Sequence, residues 1–232
     1  SMPILGIGYF ILNKRYHSYT SLFSSVRLGR ADIISLLRMG FPISAQMFLE
    51  SMAFIITGIM MGWFSAAAIG ANQIAITMAN CSFMIVLAMS TAVTIRVSHF
   101  YGARDVNNMS LTAKATIHLV LLWNLTAAFT FITFRNELPL LFTSNAEVLE
   151  LASQMLVMVA LFQIFDATQC AGLGVMRGMQ DVKMISYISL LAYIVLNIPV
   201  GYLCAFTFGF GSVGLLAGYI VGLSTAAVGY GI

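Results

Sequence analysis

Two acidic side chains lie in runs of apolar residues, where a charge is costly. Glu50 stands in AQMFLESMAFIITG, residues 45–58, and Asp166 in ALFQIFDATQCAGLG, residues 160–174. On membrane-insertion scales an acid at the centre of a spanning helix costs about 2.5 kcal/mol or more, so such acids are rare and usually mark the path of an ion or a proton. The two residues are therefore predicted to form a cation-binding site.

Amide side chains accompany both acids. Gln46 precedes Glu50 by four residues and Gln163 precedes Asp166 by three, spacings that place side chains next to each other on a helix. A further polar stripe lies on the following apolar segment. The predicted cation and substrate site consists of Glu50, Asp166, Gln46, Gln163, Gln73 and Asn80. The alternative is that both acids are neutral and bridge helices by hydrogen bonds.

The composition identifies the surroundings as a membrane. Of the 232 residues, 60% are hydrophobic and 8% charged, which excludes an ordinary water-facing surface. A spanning helix takes about 20 apolar residues, whereas a barrel strand takes about 10. The chain is therefore predicted to be an all-α polytopic membrane protein. The six predicted spans are about 39–62, 71–95, 113–134, 148–176, 184–206 and 213–232.

The two acids are predicted to lie at the same depth. Glu50 follows Arg38 by 12 residues and Asp166 precedes Arg177 by 11. At about 1.5 Å per residue, these spacings correspond to roughly 18 and 16 Å along a helix. Both arginines lie at the cytoplasmic ends of their predicted spans. The carboxyl groups are therefore expected near the middle of a hydrocarbon core that is about 30 Å thick.

The basic residues predict the orientation. All of them except Arg135 fall on one side of the six spans, and the positive-inside rule makes that side cytoplasmic. Residues 14–38 are then a cytoplasmic linker, and the C-terminus is also cytoplasmic. Residues 1–13 are apolar but too short to cross, and we interpret them as the end of a preceding span. The net charge of +3 reflects orientation, not nucleic-acid binding.

Local patterns predict caps and close helix contacts. Ser144 and Glu147 have the spacing of a capping box just before the fourth span. Glycines recur at every fourth residue, a spacing that lets helix backbones approach closely. These sets are Gly58 with Gly62, Gly174 with Gly178, and Gly214 with Gly218 and Gly222.

Five segments carry a resemblance to a known family. They are GFPISAQMFLESMAF, RVSHFYGARD, LPLLFTSNAEVLELA, GVMRGMQD and LNIPVGYL, in this order along the chain. In register across six spans, they resemble the C-terminal half of a multidrug and toxic compound extrusion (MATE) transporter of the NorM-like kind. Residues 39–232 would then be the second six-helix lobe, and its partner would be an N-terminal six-helix lobe in the lipid bilayer.

The resemblance implies a function and residue roles. It implies a transporter, not an enzyme, in the bacterial inner membrane, which exports cationic small molecules in exchange for Na+ or H+ without a cofactor. Glu50 and Asp166 match the acids that form the cation site in NorM-like members, so the resemblance implies that the coupling ion, Na+ or H+, binds there. Arg177, Gly178 and Asp181 match a cytoplasmic turn that we interpret as structural. Phe162 stands where some relatives have a tyrosine.

Other functions remain open at this point. A lipid-linked oligosaccharide flippase of the same superfamily would share the fold, but its cavity needs basic residues, and none is predicted within a span. An intramembrane aspartyl protease needs two aspartates and a Gly-x-Gly-Asp context, which the surroundings of Glu50 and Asp166 do not provide. A cation channel is not distinguished by the sequence.

Overall fold

The computed structural model describes residues 29–231, and over that range the chain is helical. It divides into two compact units, residues 1–40 and 41–232. The predicted end of a preceding span, residues 1–13, lies outside the described residues, as does most of the predicted linker, 14–38.

Six long helices confirm the predicted spans. In the described part of the chain, six helices are long and apolar enough to cross a membrane. They are α1 (Arg30–Met61), α2 (Ala66–Gly102), α3 (Val106–Thr133), α4 (Ala146–Gly178), α5 (Met184–Thr207) and α6 (Gly211–Gly229). Helix α1 begins at Arg30, inside the predicted linker 14–38. A helix can continue beyond its membrane-spanning part because its own hydrogen bonds satisfy its backbone groups. The start of α1 is marked by Asp32, which accepts a hydrogen bond from the Gly29 backbone N–H at 3.1 Å.

The helix ends are capped by polar side chains. Ser65 Oγ accepts from the Ala68 N–H at 3.0 Å at the start of α2. At the start of α3, Asp105 accepts from the backbone N–H of Asn108, and this bond lowers the pKa of Asp105. The cap of α4 is Asn145 and not Ser144, because the Asn145 side chain reaches the Glu147 N–H at 3.0 Å. The predicted Ser144 cap is therefore wrong by one residue.

Helix α5 is not a regular α-helix. Its segments Leu190–Asn197 and Leu203–Thr207 are π-helical and flank a short α-helical segment, Ile198–Tyr202. Pro199 lies at the start of that short segment and has no backbone N–H, so an α-helical bond to the preceding turn is missing. The π turns surround this break, and such wide turns are frequent at functional sites. Tyr193 and Asn197 lie on the first π segment and are buried.

Helix α4 lies at the centre of the larger unit and contacts α2, α3 and α6. Two glycines allow the close approach to α2. A Cβ atom on Gly174 would lie 2.6 Å from the Ser90 carbonyl oxygen, and one on Gly178 would lie 2.8 Å from Val97 Cβ. The short distance between the helices allows a hydrogen bond, in which Thr94 Oγ1 donates to the Gly174 carbonyl at 2.9 Å. The glycine-mediated contact predicted for α4 is thus confirmed.

The other predicted glycine sets differ in whether their glycines contact a neighbouring helix. Gly222 packs on α5, where an added Cβ would lie 2.8 Å from the Ala192 carbonyl oxygen. Gly58 in α1, by contrast, has no described atom within 4 Å of an added Cβ. The predicted close contact is therefore wrong for Gly58 within the described residues. Spacing alone does not separate these cases, because it does not specify which helix face meets a neighbour.

The helix crossing can be tested with matched substitutions. Gly174→Ala places a methyl group against the backbone of α2, and we expect the free energy of unfolding to fall by about 1–3 kcal/mol. Gly58→Ala has room for the methyl group and replaces a poor helix former, so it should cost nothing. Thermal unfolding in detergent measures both. Equal stability of the two variants would contradict the described α2–α4 contact.

Candidate functional site

A cavity of about 240 Å³ lies between α1, α2 and α4. Five of the six predicted site residues line it, namely Gln46, Glu50, Asn80, Gln163 and Asp166. Phe54, Phe83 and Leu173 contribute apolar walls. The cavity therefore combines two acids and several amides with an apolar surface, as a site for a cation of partly apolar character requires.

Gln73 is not part of this cavity. It lies seven residues before Asn80, so both residues project from the same face of α2. Their separation of two turns is about 10 Å along the helix, however. Both side chains are exposed, but of the two only Asn80 borders the cavity. A helical stripe predicts the correct face, but it does not predict the depth at which a cavity closes.

Glu50 is held by a chain of two hydrogen bonds. Gln46 Nε2 donates to Glu50 Oε2 at 2.6 Å, and Arg177 Nη2 donates to Gln46 Oε1 at 2.7 Å. Because the guanidinium has only donors, it fixes the amide with its oxygen toward Arg177 and its N–H group toward Glu50. The Glu50 carboxyl group thus accepts a hydrogen bond from an amide whose orientation Arg177 fixes.

Arg177 was predicted to act only in a cytoplasmic turn, and the structure shows a further role. Its side chain lines the cavity together with Glu50 and Asp166. It follows Asp166 by 11 residues, about three helical turns, so the two residues share one face of α4. Helical side chains also lean toward the N-terminus of their helix, which here directs Arg177 back toward Asp166. This spacing was the signal in the sequence that could have identified it.

The remaining residues of the predicted turn, Gly178 and Asp181, lie at the C-terminal end of α4 and just after it. Gly178 packs against Val97 of α2. Gln180 has a positive φ of 62°, and the backbone N–H of Asp181 donates to the Met176 carbonyl at 3.1 Å, which closes the turn after α4. The side chain of Asp181 is exposed. A role for that side chain in joining helix ends remains a prediction.

Asp166 is buried, with 8% of its surface exposed. It accepts no hydrogen bond from the described residues. Close by, the Oε1 atom of Gln163 is buried and also lacks a hydrogen-bond partner within residues 29–231. Buried acceptors are normally satisfied, and an unsatisfied one is costly. Gln163 Oε1 and the Asp166 carboxyl group, which lines the cavity, therefore offer acceptors to a cation or a proton.

Gln163 is positioned by a buried polar network between α2, α3 and α4. Its Nε2 atom donates to Ser82 Oγ at 2.6 Å and to Asn124 Oδ1 at 2.9 Å. Asn124 donates to the Val120 carbonyl at 2.9 Å, and this bond fixes which end of the Asn124 amide faces Gln163. Trp123 Nε1 lies 3.2 Å from Ser82 Oγ. The network leaves Gln163 Oε1 as the free acceptor.

A second pair of hydrogen bonds connects the cavity to α5. Gln169 lines the cavity, and its amide both donates to the Tyr193 hydroxyl at 2.6 Å and accepts from it at 2.9 Å. Phe162, the position at which some relatives have a tyrosine, also lines the cavity and packs on Tyr219 with ring centroids 5.4 Å apart. The Tyr219 hydroxyl donates to Thr57 Oγ1 at 3.1 Å.

The ligands favour particular cations. Over the described residues, no group of three or more His, Cys, Asp or Glu side chains is arranged to hold a metal ion. Two carboxyl groups with amide oxygens suit a proton, a hard monovalent ion or an organic cation.

Comparisons with known proteins identify the family of the chain. The MatE family model matches residues 42–203. The chain belongs to the MatE family. It is 33% identical over 95% of its length to the multidrug resistance protein NorM of Photobacterium profundum and 30% identical over 98% to that of Vibrio cholerae. A further relative is the multidrug resistance protein MdtK of Yersinia pseudotuberculosis, 33% identical over 82% of this chain.

The chain spans about half the length of these curated MatE relatives, 49%, 51% and 42% respectively, and matches their C-terminal half. Solved structures share its fold. A eukaryotic MATE transporter, AtDTX14, superposes with a TM-score of 0.84 at 23% identity, covering 99% of this chain and 51% of that one. The Vibrio cholerae transporter VcmN in its bent form gives 0.79 at 21% identity, covering 88% and 47%. Members of the family are transporters and not enzymes.

The polar network predicts a stability difference between two glutamines. Gln163→Leu leaves Ser82 and Asn124 buried without their partner, and we expect a loss of about 1–3 kcal/mol in the free energy of unfolding. Gln73→Leu, at an exposed position of α2, should change it by less than about 0.5 kcal/mol. Thermal unfolding in detergent compares the two. A stable Gln163→Leu variant would show that the network does not hold these helices together.

Proposed function

We propose that this chain is the C-terminal lobe of an antiporter that exports cationic organic compounds in exchange for Na+ or H+. The observation that carries the proposal is the position of Asp166, a buried carboxyl group without a donor, in the same cavity as Glu50. The multidrug resistance names of the relatives support the class of substrate.

Exchange follows from competition for one pair of acids. A carboxylate in a low-dielectric cavity needs a proton or a cation beside it, because an unpaired buried charge is costly. The coupling ion and the cationic substrate both meet that need at Glu50 and Asp166. Binding of one therefore favours release of the other, and an ion gradient can drive the export of the substrate.

Alternating access in transporters of repeated architecture requires two halves that move against each other around a central site. The relatives are about twice as long as this chain, which supports an N-terminal lobe as the partner. The apolar walls of the cavity, including Phe54 and Phe83, suit the non-polar parts of an organic cation. We place the transporter in the bacterial inner membrane, with the linker and the C-terminus on the cytoplasmic side.

The charges that line the cavity, and not an absence of basic residues, disfavour the flippase alternative. The sequence predicted no basic residue in a span, whereas Arg177 does line the cavity. Its guanidinium, however, bonds to Gln46, and the cavity also holds two acids. A phosphate group would therefore meet an excess of negative charge, which disfavours binding. The ion-channel alternative differs from an antiporter in that a channel cannot move a substrate against its gradient.

Neutral amides at the two acids test the proposal. In the full transporter, Glu50→Gln and Asp166→Asn should each reduce efflux to background, because an amide retains the shape but carries no charge to pair with a cation. The measurement is counterflow in proteoliposomes, driven by an imposed sodium or pH gradient. Size-exclusion chromatography confirms that the variants remain folded.

Arg135→Gln is the matched control, because Arg135 is exposed and does not line the cavity. It should export as the wild type does. Normal export by Glu50→Gln under both gradients would mean that the acids are structural and that the proposed site is wrong.

A further inference from the structure

We propose that Arg177 sets the charge of the cavity, so that the site accepts a singly charged cation and discriminates against a doubly charged one. This inference rests on the proposed function, since it requires cations to bind beside Glu50 and Asp166. It gives Arg177 a role in selectivity that the cytoplasmic turn does not explain.

The first step is the position of the guanidinium group. Arg177 lines the cavity with both acids, and its Nη2 atom donates to Gln46 Oε1 at 2.7 Å. Its Nε atom is buried and has no partner within the described residues. The guanidinium group of this half-buried residue is therefore directed to the cavity, where a neutral amide holds it.

The second step is the charge of the side chains with which this lobe lines the cavity. With both acids ionised, Glu50, Asp166 and Arg177 together carry one net negative charge. One monovalent cation makes this cavity neutral, whereas a dication leaves an excess positive charge in a low-dielectric region, which is costly. Without Arg177 the net charge would be two negative units, and a dication would be the matching ligand.

The third step concerns the other ionisable groups near the acids. Cys170 of α4 also lines the cavity. Tyr193 of α5 is hydrogen-bonded to Gln169, another residue that lines it. The lining residues from α1 and α2 add no ionisable side chain besides Glu50. A thiol and a phenol are neutral near pH 7. Arg177 is therefore the group that offsets the acids among the residues lining the cavity.

Two dyes with the same ring system separate this role from a structural one. Ethidium is a monocation, and propidium is a dication built on the same phenanthridinium ring. Fluorescence titration of the purified full transporter gives a Kd for each dye. Removal of a positive charge strengthens dication binding more than monocation binding, because the interaction energy scales with ligand charge. A merely structural change would alter both affinities together.

We expect Arg177→Gln to shift the ratio of the two Kd values about tenfold in favour of propidium. Arg177→Lys keeps the charge and should keep the wild-type ratio. Arg135→Gln removes an exposed, screened charge and should also leave the ratio unchanged. Arg177→Met, which fills the space without a charge or a donor, should reproduce the shift of Arg177→Gln.

The outcomes distinguish the inference from the proposed function. If the wild type binds both dyes and the ratio is unchanged in Arg177→Gln and Arg177→Met, Arg177 does not set selectivity, while the proposed function stands. If the wild type binds neither dye, the proposed function fails and this inference fails with it. If both neutral variants fail to fold while Arg177→Lys folds and binds, the charge is structural and the inference is contradicted.

Discussion

Two carboxyl groups buried in a low-dielectric environment constrain the rest of this molecule. Each needs a donor, a proton or a cation, because an isolated buried charge is strongly unfavourable. Glu50 receives its donor from Gln46, which Arg177 orients. Asp166 has no such donor among residues 29–231. Glu50 thus has a hydrogen-bond donor even when no cation is bound, whereas Asp166 has none among the described residues. Such a difference between the two acids suits reversible binding.

The surrounding helices hold these groups around one cavity. Helix α4 carries Gln163, Asp166, Gln169 and Arg177, and its glycines bring it close to α2. The network through Ser82, Asn124 and Trp123 fixes Gln163, and the pair of bonds to Tyr193 fixes Gln169. Close backbone contacts and the hydrogen bonds of the Gln163 and Gln169 amides thus support the cavity. Preorganisation of this kind reduces the entropy lost when a cation binds.

The sequence predicted the features that depend on local composition and period. Hydrophobic length predicted six helices, and helical spacing predicted that Gln46 lies beside Glu50 and Gln163 near Asp166. It did not predict which residues reach the same cavity across helices: Gln73 lies on the correct face but two turns away, and Arg177 was interpreted as part of a turn. The Asn145 cap and the π turns of α5 were also missed, because they depend on backbone geometry that propensities do not specify.

The central claim is that Glu50 and Asp166 form one site for an organic cation. Anomalous diffraction from crystals of the full transporter with tetraphenylarsonium tests it directly, because arsenic marks the position of a cation that has no hydrogen-bonding group. The account predicts an arsenic peak beside the cavity lined by Glu50 and Asp166 in the wild type, and none in a Glu50→Gln, Asp166→Asn double variant. A peak elsewhere, or an equal peak in the double variant, would contradict it.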